Sequence, residues 1–211
     1  MKYAGMPIGM WILFSKSFRD HLTEIFGYDE GTAKYITDKA KHKYKEIIAD
    51  LPEFEKGDRF KMNIVNCAML AAFILSMPQR PDVESLTEYY AESVMTKPMK
   101  WFCRRNGKSQ FSEKDISGLK ATAEFKAADR NPYSWNMDFS EYPDKSGYLC
   151  NFTKCGICVL MKKLGLYDLT PALCRLDYTM SEAGGVVNFV REYTLASGGP
   201  CCDCGYKRKN K

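Results

Sequence analysis

Through the first 130 positions apolar residues recur every three or four places, and after that they alternate. From about Met10 to Phe26, Trp11, Phe14, Phe18, Leu22 and Ile25 share one helical face, and Gly27 stops the run. A second helix is expected from about Glu30 to Leu51, with Ile36, Ala40, Ile47 and Ile48 inward and Pro52 ending it. Its Lys39, Lys41, Lys43 and Lys45 read as a solvated face. A third, about Asp58 to Met77, is apolar nearly all round from Ile64 to Ser76, the pattern of a helix central in a bundle or buried at an interface. Pro81-Asp82 starts a fourth through Val94. Lys97 to Gly107 gives no clear period, and Ser112 with Asp115 forms a capping signal for a helix reaching about Ala128.

After Asn131-Pro132 the period shortens to two. Tyr133, Trp135, Met137 and Phe139 alternate with Ser134, Asn136 and Asp138, predicting a half-buried strand, and Tyr148 to Thr153 is its expected antiparallel partner. A short helix is predicted from Cys155 with Gly165 closing it. Thr170-Pro171 reads as a cap followed by Pro at the first helical position, starting a helix to about Glu182. Val186 to Ala196 alternates again, and Ser197 to Pro200 turns the chain into a returning arm, Cys201 to Arg208. Segregated helices and short-linked strands predict an α+β fold, a helical N-terminal layer packed on a small antiparallel sheet of four strands. Residues 1–211 are expected to form a single domain, mostly helical to residue 130, with the strand-helix-helix-hairpin part carrying the chemistry.

Composition changes this picture little. The chain has 211 residues, 45% of them hydrophobic and 27% charged, ordinary for a globular protein and unlike a disordered one. The net charge of +5 is partly the tail Lys207, Arg208, Lys209 and Lys211, read as a solvated, frayed terminus, so no nucleic-acid surface is implied. The apolar stretch Met6 to Phe14 has only Lys2 before it and no cleavage site after it. It is too short to span a bilayer, so neither a signal peptide nor a membrane span is expected. A cytoplasmic location follows as the expectation, and there nine cysteines should be free thiols or metal ligands.

Cysteine distribution changes the picture most. Seven of the nine lie between Cys150 and Cys204, with only Cys67 and Cys103 elsewhere. Cys155 opens a predicted helix, where the local positive potential favours a thiolate. Cys174 and Asp177 are three apart on the next helix, on one face. Cys202, Cys204 and Tyr206 share one face of the last strand, opposite Cys201, Asp203 and Gly205. Three chemistries compete. A thiol at Cys155 or Cys174 could attack an electrophilic carbon with Asp177 relaying protons. The only histidines, His21 and His42, are remote in sequence, so no local Cys–His pair is suggested. A metal could be held instead. Cys150, Cys155 and Cys158 have the C-x4-C-x2-C spacing of an iron–sulfur site, and Cys155/Cys158 with Cys202/Cys204 could bind zinc. The third alternative is that the cysteines are simply small core residues.

The run Phe152 to Gly184 followed by Phe189 to Tyr206 resembles the L-2-amino-thiazoline-4-carboxylic acid hydrolase family. The matching pieces are Cys155 at a helix start, "P-x-L-C-x-x-D" from Pro171 to Asp177, Arg191 two residues ahead of "T-L-A-x-G" at Thr194 to Gly198, and "C-D-x-x-Y" from Cys202 to Tyr206. The resemblance implies hydrolysis of a cyclic amidine, opening a 2-aminothiazoline ring to N-carbamoyl-L-cysteine. It implies Cys155, Cys174, Asp177 and Cys202 as catalytic residues, with Arg191, Thr194 and Asp203 binding a small-molecule substrate, Arg191 as a fork on its carboxylate. Thr194, Gly198 and Gly199 also have an architectural reading at the turn. The closing hairpin is similar to 4-vinyl-reductase-type domains of TRAPP-like fold, on which a metal- or ligand-binding sensor is the alternative function. No cofactor is expected under the hydrolase reading, no nucleic-acid or membrane partner under either, and a homo-oligomer is left open.

Overall fold

The computed structural model describes residues 8–56 and 58–209. Met6, Lys2 and Lys211, invoked above for the two termini, lie outside them. Six helices lead the chain: α1 (Ile8–Phe26), α2 (Glu30–Ala49), α3 (Lys61–Ile74), α4 (Val83–Val94), α5 (Lys97–Ser109) and α6 (Glu113–Ala127). Strands β1 (Asp138–Glu141) and β2 (Gly147–Phe152) follow, then α7 (Gly156–Lys163), α8 (Thr170–Cys174) and α9 (Leu176–Gly184), and finally β3 (Val187–Val190) and β4 (Cys202–Arg208). The α+β expectation holds: the sheet is four-stranded and antiparallel, in the order β1-β2-β4-β3.

The start signals read at Asp82 and Ser112 do their work: Asp82 accepts the backbone N–H of Ser85 at the start of α4 and Ser112 that of Asp115 at α6, and Asp29, not singled out from sequence, accepts that of Thr32 at α2. The α1 face Trp11, Phe14, Phe18 and Leu22 is buried, with Phe18 tilted on Phe73 and edge-on to Tyr89. Every residue of α3 from Cys67 to Ile74 is buried, so α3 is the centre of this chain's helical layer. Among the described residues no helix is long and apolar enough to cross a membrane.

Four expectations need correcting. The first strand begins only at Asp138. Residues 131–137 are irregular, because Asn131 Oδ1 accepts the Tyr133 N–H and Asn136 Oδ1 accepts those of Thr153 and Lys154, replacing a ladder. The helix predicted from Thr170 to Glu182 is two, broken at Arg175, and Thr170 is not its cap. Leu169 holds that position and the Thr170 hydroxyl is buried. The strand predicted over Val186–Ala196 pairs only as far as Val190, opposite Gly205. Beyond it Asp203 takes the N–H groups of Glu192 and Tyr193 at 3.1 and 2.6 Å, donors a longer ladder would need. Lys207 and Arg208 are not frayed: they pair with Gly147 and Val187 in β4.

Two layers meet around the last third of the chain. One sheet face carries Tyr148, Cys150, Cys202 and Cys204 into a small core with Met137, against Ile116, Leu119 and Ala123 of α6. Helix α9 packs on α5, where a Cβ on Gly107 would stand 2.5 Å from the Gly184 carbonyl oxygen. Helix α7 packs on α3, and a Cβ on Gly156 would stand 2.0 Å from the Tyr133 oxygen.

Candidate active site

Cys155 is the N-cap of α7 in extended conformation, with φ −135° and ψ 116°. The thiol is held below the ordinary thiol range, chiefly by the Cys158 side chain hydrogen-bonding to it. Burial opposes this, while the N–H groups of Cys158 and Ile157 and the Trp135 side chain add to it. The proton stays on Cys158, whose thiol is pushed far up by the same bond and by burial.

Burial raises the neighbouring thiols instead. Burial pushes Cys174 up to about 12, with Asp177, Cys155 and Cys202 adding and Arg191 opposing. Cys202 is raised by burial although the Leu195 N–H points at its sulfur at 3.3 Å. Cys150 is pushed up to about 12 inside the sheet core. Charge on Cys155 is felt at Cys158, Cys174 and Cys202, so these thiols share one neighbourhood.

Arg191 and Asp177 form an ion pair at 2.7 Å, and a second guanidinium nitrogen donates to the Cys174 carbonyl at 2.7 Å. The guanidinium lies over the rings of Tyr178 and Phe189, each 5.3 Å away, and its side chain is only 5% exposed. Burial alone would weaken its charge, but the Asp177 carboxylate paired with it holds it firmly protonated. Asp177 is raised by burial, with Arg191 opposing. Its side chain nevertheless keeps 47% of its surface open, so water in the adjoining cleft moderates that rise.

The pair is a wall between two depressions. Cys174, Arg191 and Thr194 line a cleft of about 340 Å³, with Arg175 exposed at its rim. Asp177 opens on the other side into a depression of about 190 Å³ between α5 and α9, beside Cys103, Gly107 and Tyr206. Cys155 and Cys202 line neither, standing within electrostatic reach of Cys174. Thr194 accepts the Ser197 N–H at 3.1 Å and Asp203 binds the 192–193 backbone, so both shape the loop that closes the first cleft. Arg191, expected as a free fork, already has two partners.

Three further residues belong to this neighbourhood and were not singled out from sequence. Arg175 sits inside the "L-C-x-x-D" run, read there only for its Cys and Asp. Trp135 lay in an alternating segment. Tyr167 is raised by burial and by the neighbouring cysteines 158, 155, 174 and 202, and its hydroxyl donates to the Leu195 carbonyl at 2.9 Å.

All nine cysteines are free, and among the described residues no three His, Cys, Asp or Glu side chains are arranged to hold a metal ion. Within the C-x4-C-x2-C spacing, Cys150 belongs to the sheet core while Cys155 packs against the helical core. A family model described as L-2-amino-thiazoline-4-carboxylic acid hydrolase matches residues 63–206, from the first turns of α3 to Tyr206 in β4. No curated protein and no solved structure matches the chain.

Proposed function

The chain belongs to the L-2-amino-thiazoline-4-carboxylic acid hydrolase family, and on that premise we propose that it opens a 2-aminothiazoline-4-carboxylate, or a close cyclic amidine, by thiolate attack. One observation carries the reading: of the thiols in the electrostatic neighbourhood of Cys174, which lines the cleft, Cys155 is the one whose surroundings favour the charged form. In this reading the substrate occupies the cleft lined by Cys174, its carboxylate facing Arg175 at the rim and the fixed charge of Arg191.

The Cys155 sulfur adds to carbon 2 of the ring, electrophilic once the ring nitrogen is protonated. The tetrahedral adduct expels the ring sulfur as a thiolate and leaves an S-linked isothiouronium on Cys155. Water adds to that carbon, giving its proton to the released thiolate. Expulsion of the Cys155 thiolate and loss of the amidinium proton leave N-carbamoyl-L-cysteine. Cys174, held protonated, hydrogen-bonds the departing sulfur. Asp177 acts behind Arg191 as a positioning residue, since its carboxylate opens to the opposite side. Cys202 and Thr194 set the 194–197 loop that closes the cleft.

The test is turnover of 2-aminothiazoline-4-carboxylate by the purified chain, followed by release of free thiol. Cys155→Ser is expected to lower the rate at least about a thousandfold, as losing a nucleophile does. Full turnover by a folded Cys155→Ser protein would overturn the mechanism, and no turnover by the parent chain would overturn the substrate.

A further inference from the structure

We infer that Cys155 and Cys158 form a reversible dithiol–disulfide couple that exchanges with small-molecule disulfides. The two residues stand at the N-cap and in the first turn of α7, both free and both partly exposed. The C-x-x-C spacing sets them one helical turn apart at the head of α7, and each thiol perturbs the other. The turn between them is fixed: the Cys155 carbonyl accepts the Val159 N–H at 3.3 Å, and Gly156 is pressed on the Tyr133 carbonyl, leaving no room for a side chain. The indole N–H of Trp135 also favours the Cys155 thiolate. Two thiols one turn apart on a fixed turn lose little freedom when joined, and an N-cap followed by a first-turn residue lies within the span a disulfide bridges.

Asymmetry within the pair sets the direction of exchange. Cys155 is the attacking thiolate and Cys158 the protonated, resolving thiol. The Cys155 sulfur attacks a disulfide RSSR, forming a Cys155–S–S–R bond and expelling RS⁻. Cys158 gives up its proton and attacks the Cys155 sulfur, expelling the second RS⁻. The two cysteines lose two electrons and the Cys158 proton, and RSSR becomes one RSH and one RS⁻. The couple itself needs no hydrolysis. Its consequence, that the bridged form cannot open a thiazoline, rests on Cys155 being the nucleophile.

The sequence makes the test direct. Trypsin releases Cys155–Lys162, which contains these two cysteines and no other. The full chain is equilibrated with graded ratios of oxidised to reduced glutathione, quenched, alkylated and digested. The expected result is that this peptide turns from doubly alkylated to unalkylated with a two-hydrogen mass loss, before the peptides carrying Cys174 and Cys201 change, and that reduced glutathione reverses it. Cys158→Ala should instead accumulate a glutathione adduct on Cys155. A peptide that stays doubly alkylated at high ratios, or Cys155 bridged to Cys174 or Cys202, would overturn the couple. The mapping on the parent chain stands whether or not the variant folds. Bridged protein that retains hydrolysis would sink the nucleophile assignment and leave the couple intact.

Discussion

Lys126 offers the sharpest energetic test of how this site is held. Its ammonium is fully buried and bonded to Asp58 at 2.7 Å, Asp129 at 2.8 Å and the Ser134 hydroxyl, over the faces of Phe60 and Phe125. Asp58 and Asp129 are themselves 1% and 6% exposed in their side chains. Lys126→Met keeps the stem and deletes the cation, leaving two buried carboxylates without their counter-charge. Breaking a buried ion network by removing one partner costs about 3–5 kcal/mol. For a chain of this size about 2–4 °C of melting temperature goes with each kcal/mol, so a drop of roughly 6–20 °C is expected. Urea denaturation should show a lower midpoint at unchanged slope. A triple variant that also carries Asp58→Asn and Asp129→Asn should recover most of the loss, since the penalty is the uncompensated charge.

The pH dependence has a definite sign. Burial works against the Asp129 charge, but the bonds from Lys126, the Asn131 N–H and Ser134 outweigh it, so its folded pKa lies below the ordinary value. A depressed carboxylate stabilises the fold above its unfolded pKa of about 3.9, and that contribution is lost as pH falls through the lower folded value. The parent and Lys126→Met curves should therefore converge below about pH 4. A midpoint shift worth less than about 1 kcal/mol at pH 7, the worth of an exposed pair, would refute the reasoning.

Other outcomes follow from the same geometry. Asp177→Asn should raise KM far more than it lowers kcat, because it loosens Arg191 rather than a proton path; a loss confined to kcat would return Asp177 to the chemistry. Cys158→Ala removes the bond that most favours the Cys155 thiolate, so the pH midpoint of Cys155 alkylation should move up; an unchanged midpoint would mean the helix end alone sets it. Gly107→Ala places a methyl 2.5 Å from the Gly184 carbonyl, and should destabilise by about 1–3 kcal/mol in thermal melts; a neutral change would mean α5 and α9 part easily.

The helical layer was legible because its signals are local. The start signals at Asp82 and Ser112 and the apolar face of α1 each lie within one turn of what they specify. Helix α5 was not legible. It buries only Cys103 and Gly107, so its inward stripe is made of small residues, and its Lys and Arg side chains mask any period. The strand limits were missed for a shared reason. Asn131, Asn136 and Asp203 bind backbone N–H groups through their side chains, and an alternating apolar pattern carries no trace of such competition.

The same distinction explains the site. Cys155 at the head of α7 was readable, because a helix start and its potential are local properties. The division of labour around it was not. Asp177 and Arg191 were both named from the motif, yet their ion pair joins α9 to the loop after β3, and it turns each toward a different cleft. Nor does spacing say which of several neighbouring thiols keeps its proton. Cys158 three residues on, Trp135 from the irregular segment and burial in two separate cores decide that together. Because the Trp135 contact depends on a segment that Lys126 anchors through Ser134 and Asp129, a stability measurement at Lys126 and an alkylation profile at Cys155 interrogate one structure. If that coupling holds, Lys126→Met should raise the alkylation midpoint of Cys155 in the fraction that remains folded. An unmoved midpoint would show that the turn at Gly156 is enough to hold the thiolate.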